Sequence, residues 1–264
     1  MMCATQPAFP ATDLMFQRMV ASAVFAGVAA GLIAAVLHFA FAQKYILLGE
    51  RYETGALTHF TSGSQADDLA GPGDAGHSHA APADGAAVAP HNHPAAPQSD
   101  LQRNAFTALF MVLVYVSYAM LLVAGFGLAD SVGIKVGAGQ GLLWGLAGFV
   151  AFQMAPAIGL APELPGTIAA ELGARQIWWW GTAAASALAF ALLAYGPKPL
   201  GVVAAFALLA APHVIGAPQP DAFHGVAPPE VAAVFAARVL ATGMAAWAVM
   251  GWLAGRLWAR SAVS

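Results

Sequence analysis

The chain has 264 residues, of which 59% are hydrophobic and only 9% charged, and its net charge is −3 with histidines neutral. Soluble domains carry about 25% charged residues, and a soluble core of this size could not hide so much apolar surface, so the chain reads as an integral membrane protein. No basic surface is left to take nucleic acid, and the single cysteine, Cys3, excludes an internal disulfide and a thiolate metal cage.

Crossing the hydrocarbon takes about 20 apolar residues. Six runs qualify: Phe16 to Ala42, Ala105 to Leu128, Val136 to Ile158, Ile177 to Tyr195, Leu200 to Ile215 and Val231 to Trp258. They predict an all-α, polytopic bundle with about six membrane helices. Five is the alternative count, because the fifth run is the shortest and only Gly196-Pro197-Lys198-Pro199 separates it from the fourth. The organisation is a tail over 1–15, a first membrane helix over 16–42, an acidic rim and long loop over 43–104, a five-helix membrane bundle over 105–258 and a tail over 259–264. The first run is too long for a signal-peptide core and reads as a retained helix.

Gly27 and Gly31 in the first run are spaced for close helix packing in lipid, as are Gly137, Gly141 and Gly145 in the third and Gly251 and Gly255 in the last. His38 follows Gly31 by seven residues and Gly27 by eleven, which puts it on the same packed face. An imidazole there serves as an ion ligand or as a hydrogen-bond donor to a neighbouring helix.

The first run ends in Ile46-Leu47-Leu48-Gly49-Glu50-Arg51-Tyr52-Glu53. Glu50 and Glu53, at i and i+3, share a face of a helical turn. Charge costs roughly 2.5–3.5 kcal/mol at a bilayer centre and less near the interface, so acids at the rim suggest function. Carboxylates suit hard or borderline divalent cations, and a nearby imidazole shifts the preference toward cobalt, nickel or zinc. The plain alternative is a helix end solvating itself, with Arg51 pairing one acid.

From Gly63 to Pro97 the composition turns to Ala, Gly, Pro, Asp and His, which predicts an unfolded aqueous loop. It carries His77-Ser78-His79 and His91-Asn92-His93, two units that could converge on one borderline metal ion and act in capture.

Two later segments are broken by proline. The stretch from Ala155 to Gly166 holds Pro156, Pro162, Glu163 and Pro165, and that from Ala211 to Pro218 holds Pro212 and His213. Broken backbone at membrane depth is tolerated where it lines a cavity or is buried in protein, and interruptions in paired positions point to a transporter's binding site. Six crossings put both termini on one side, with Arg18, Lys135, Lys198, Arg256 and Arg260. Lys44, Arg51, Arg103 and Arg175 fall on the other side, with Glu50, Glu53 and both proline-broken segments. Eleven of the thirteen acids lie on that second side, which favours cytoplasmic termini and an outward-facing histidine loop. The chain has no P-loop, nucleophile elbow or zinc-protease helix, so it reads as a non-enzyme.

Together, Met15-Phe16-Gln17-Arg18, Ile46 to Glu53, Pro162-Glu163-Leu164-Pro165-Gly166, Arg175-Gln176-Ile177-Trp178-Trp179 and Pro212-His213-Val214-Ile215-Gly216-Ala217-Pro218 resemble the CbtA family, the predicted cobalt transporter subunit of bacteria. The resemblance covers the chain apart from its long loop. It implies an inner-membrane, multi-pass subunit that moves Co2+ for cobalamin synthesis, with a small His-bearing CbtB-like membrane subunit as partner. The family is commonly described with five spans.

The leading reading is a permease subunit for a divalent transition metal, with Co2+ first and Ni2+ or Zn2+ as alternatives. The cation is cargo and no resident cofactor is implied. The histidine loop gathers the ion, Glu50, Glu53, Glu163 and His213 form the outer site, and His38 serves as an inner ligand. Protons compete for such ligands, so uptake falls as pH drops through the histidine range. Two alternatives stay open: a non-transporting metal-binding accessory subunit, and an oxidoreductase subunit holding a haem between His38 and His213.

Overall fold

The computed structural model describes residues 11–58 and 99–261, and the loop histidines His77, His79, His91 and His93 lie outside them. Among the described residues all regular elements are helices, and one isolated bridge pairs Thr167 with Gly225. Helix α1 (Ala11–Leu37) passes through a π-helical turn (His38–Ala42) into α2 (Gln43–Glu53). Helix α3 (Asp100–Ser131) returns, and α4 (Ala138–Phe149) passes through a second π turn (Val150–Met154) into the short α5 (Ala155–Gly159). Then come α6 (Leu172–Tyr195), α7 (Leu200–Ile215) and α8 (Pro229–Ser261).

All six apolar runs fall on helices. Five stretches are long and apolar enough to cross a membrane: Met19–Glu53, Asp100–Ser131, Ala138–Gly159, Leu172–Tyr195 and Pro229–Arg260. The sixth helix, α7, has 16 residues, about 24 Å at 1.5 Å per residue, which is short of the roughly 30 Å of hydrocarbon. It lies antiparallel to α6, held where the Trp178 indole Nε1 donates to the Pro212 carbonyl at 3.1 Å.

Small residues decide which helices touch. Ala23, Ala26, Ala30 and Ala34 of α1 are buried, and a Cβ added at Gly27 or Gly31 would meet the backbone of Val116 or Val112 on α3. Between α4 and α8 the approach is closer, since Gly141 and Gly145 face Gly251 and Gly255 backbone to backbone. Lipid tails are as apolar as the side chains, so van der Waals contact of this kind, rather than exclusion from water, holds such helices together. Phe25, Phe110, Leu113, Ile177 and Phe206 stay exposed on the outer surface, as contact with lipid requires.

Met19 of α1, Gly127 of α3 and Trp258 of α8 meet, which brings the start of the first helix and the end of the last to one end of the bundle. At the opposite end Leu164, Ala42 of the first π turn and Phe235 of α8 form a small buried cluster. The α6–α7 hairpin stands to the side and packs on the second π turn, α5 and α4.

Candidate functional site

The proline-broken segment after α5 is pinned from three directions. Leu164 is buried between α2 and α8, and Gly49 leaves room on α2 for Leu164 and Pro165. Gly166, at φ +79°, turns the chain beside Glu53 and Val226, a backbone shape open to glycine at no steric cost. The Ile168 amide donates to the His224 carbonyl at 3.0 Å, and Gln219 Nε2 donates to the Gly159 carbonyl at 3.2 Å. The end of α2, the segment from Leu160 to Glu171, the start of α6 and the loop after α7 therefore form one rim.

The predicted site residues occupy this rim without converging. Glu50 Oε2 lies 3.4 Å from Arg103 Nη1 of α3, both partly exposed. Glu53 ends α2, and its Cβ lies near Gly166. Glu163 Oε2 lies 3.1 Å from Arg175 Nη2 in the first turn of α6. His213 stands edge-on to Trp178, with ring centroids 6.1 Å apart. His38 opens the first π turn, half-buried, edge-on to Phe39 at 5.7 Å. Among the described residues no three His, Cys, Asp or Glu side chains are grouped to hold a metal ion. The π turn carrying His38 packs on α8, whereas α7, which carries His213, packs on α6.

A cavity of about 490 Å³ opens beside the Glu163–Arg175 pair and runs inward past Gln176, Trp179, Leu240 and Pro156 to Gln153, Phe152 and Tyr118. Of the predicted site residues, Glu163 lines it. On its inner wall Gln153 belongs to the second π turn, a feature often found at functional sites. Its Oε1 is buried with no hydrogen-bond partner among the described residues, and it lies against Gly243 of α8, where a Cβ would collide with it. The same amide hydrogen-bonds Tyr115, so the unpaired atom is the oxygen. Burying a carbonyl oxygen unpaired costs about 1–3 kcal/mol, which an apolar side chain of similar length would not incur. Phe152, next in the turn, contacts Tyr118 at 5.6 Å, Trp179 at 6.0 Å and Trp180 at 6.5 Å, and stacks on Trp247 at 6.0 Å.

Two further features frame the site. The Glu171 carboxylate accepts from the Gly173 and Ala174 amides at 2.7 Å each and so caps α6; these two bonds hold its carboxyl below the usual glutamate range. Arg238, inside the last apolar run, lies over the Phe41 ring at 5.6 Å from its centroid, a cation–π contact that keeps the guanidinium beside the first π turn.

Sequence reasoning missed Gln153, Gln176 and Arg238 as candidate positions. An amide two residues before a proline-broken helix end was a usable signal for Gln153, because polar side chains inside spans are costly. Nothing in the composition marks either π turn.

The model of one protein family matches residues 16–259; its description reads "Probable cobalt transporter subunit (CbtA)". The match covers nearly the whole chain, and the chain belongs to this family. No curated protein and no solved structure matches it.

Proposed function

With membership of a cobalt transporter subunit family as the premise, we propose that this chain forms the path by which a divalent transition metal, Co2+ in the first place, enters the cell. The observation that carries the reading is the cavity from the Glu163–Arg175 pair to Gln153, beside the rim that also bears Glu50, Glu53 and His213. Glu163 is the first ligand on that path. In the resting pair Arg175 neutralises it, and an arriving cation displaces the guanidinium from the carboxylate. Glu50, Glu53 and His213 are collecting groups around the mouth, and the loop histidines His77, His79, His91 and His93 supply the ion to them. His38, on the first π turn, is an inner ligand.

With both ends of the bundle assigned this way, the rim faces outward across the bacterial inner membrane and both termini are cytoplasmic. A small His-bearing membrane subunit is the proposed partner.

Radioactive cobalt accumulation in cells expressing the chain tests the reading, beside Glu163→Gln and a Glu50→Gln/His213→Ala double variant at matched expression. Saturable uptake lost in Glu163→Gln supports it. No uptake by the intact chain, alone or with its partner, overturns the transport reading. Uptake retained in every variant keeps transport and removes these residues from the path.

A further inference from the structure

Beyond the Glu163–Arg175 pair the lining of the cavity includes an aromatic wall. Tyr118 and Phe152 line it from within, and both also line a second cavity of about 600 Å³. That second cavity continues toward the opposite end of the bundle, past Trp144, Tyr195 and Gln140. Where the first cavity meets this wall stands Gln153, whose amide oxygen has no hydrogen-bond partner among the described residues.

The terminal torsion of glutamine is soft and roughly two-fold. Rotation about it exchanges the amide oxygen and nitrogen and carries Oε1 off Gly243 without moving the backbone of a residue that lines the cavity. An amide oxygen is a hard, neutral donor. Mid-path it binds a divalent ion firmly enough to strip part of its water and loosely enough to let it go, as conduction requires. A carboxylate at that depth would hold a divalent ion more firmly and slow its release.

We propose that Gln153 is an inner cation-binding position of this chain, its amide oxygen taking a partly hydrated divalent ion at the wall formed by Tyr118 and Phe152. The proposal rests on the transport reading for its role and on the cavity for its place. Gly243 belongs to the same device, because it is the pocket into which the oxygen retracts between ions.

The test starts from full-length protein with Cys3→Ser, reconstituted in vesicles, carrying a single cysteine through Ala157→Cys, which lines the cavity and leaves Gln153 in place, or, as control, Met154→Cys. Met154 lies in the second π turn and is 41% exposed. A small charged thiosulfonate reagent is added with and without Co2+, in the presence of Gln153 and of Gln153→Leu. The expected result is reaction at position 157 that slows about tenfold when Co2+ is present at roughly nine times its dissociation constant, with that protection lost in Gln153→Leu and absent at position 154. Absence of reaction at 157, equal rates with and without Co2+, or protection retained in Gln153→Leu overturns the proposal.

Cobalt uptake by Gln153→Leu and Gln153→Glu gives the second reading. The leucine variant is expected to lose uptake, and the glutamate variant to bind Co2+ more tightly while turning over more slowly. Wild-type uptake by the leucine variant removes Gln153 from the path and leaves the transporter standing. Should the intact chain accumulate no cobalt, the transport reading fails there, while Gln153-dependent protection at position 157 still decides whether a cation binds.

Discussion

Glu163 and Arg175 join a proline-broken segment to the first turn of α6 through an Oε2–Nη2 distance of 3.1 Å, at the mouth of the inward cavity. The pair positions a carboxylate and masks it at once. A cation binding there competes with a guanidinium tethered only 12 residues away.

From that competition Arg175→Gln should tighten the apparent affinity for Co2+ at the mouth. Partly exposed pairs of this kind contribute about 0.2–1 kcal/mol, so the gain is at most about fivefold. Glu163→Gln should lose saturable uptake. Initial uptake rates against cobalt concentration read both, and unchanged affinity in Arg175→Gln with wild-type uptake in Glu163→Gln would mean that the ion does not meet Glu163.

Gly145 and Gly139 lie on the same helix and answer differently to the same change. Gly145→Ala drives a methyl into the backbone of Gly251 on α8, whereas Gly139 has open space around it. Overpacking against backbone costs about 1–3 kcal/mol. The exposed site should instead gain up to about 1 kcal/mol from alanine's better helix propensity. Thermal unfolding in detergent should lower the midpoint for Gly145→Ala and leave or raise it for Gly139→Ala.

Gln43 Nε2 donates to Asn104 Oδ1 at 2.7 Å, tying α2 to α3 below the rim. Bonds between membrane helices average about 0.6 kcal/mol and reach about 1.7 in double-mutant cycles. A cycle of Gln43→Leu and Asn104→Leu should give a coupling energy in that range. A value near zero would show the two side chains solvated separately.

The Glu171 cap has a defined pH window. Its folded carboxyl sits below the unfolded value near 4.5 because two backbone amides donate to it. Its contribution is therefore fully present above about pH 4.5 and is lost as pH falls through the lowered folded value. Hydrogen exchange at the Gly173 and Ala174 amides, taken relative to the intrinsic rate at each pH, should speed up over that acid range in the intact chain. In Glu171→Ala it should be fast at neutral pH and gain nothing further from the loss of the cap in acid.

Topology is testable with the same single-cysteine background. Cysteines through Lys198→Cys and Asp221→Cys flank α7, so an impermeant thiol reagent should reach them from opposite sides. Labelling from one side would make α7 a re-entrant helix and leave five crossings.

Much of this fold can be read directly from hydropathy, because length and apolarity are what lipid demands. The bounds of α7 match the fifth run, Leu200 to Ile215. The glycine faces were legible too, but spacing reveals a smooth face and not its partner; that Gly141 and Gly145 meet α8, while Gly27 and Gly31 meet α3, comes from packing. Glu163 stood out because prolines surround it. The π turns at His38–Ala42 and Val150–Met154 did not, since one extra residue in a helical turn changes no composition. Those turns decide where Phe152 and Gln153 sit, so the outer half of the candidate path was visible in the sequence and the inner half was hidden.

Two seams of this molecule are made of different stuff. Where α4 meets α8 there are glycines and bare backbone, in register like the teeth of a closed zip, and sliding one helix along the other would drive peptide into peptide. Where the α6–α7 hairpin meets the second π turn there are rings, Phe152 among Trp179 and Trp180, which can tilt and roll past one another at small cost. The α4–α8 seam is thereby locked against sliding by its backbone, whereas the hairpin seam at Phe152 is held by ring contacts instead.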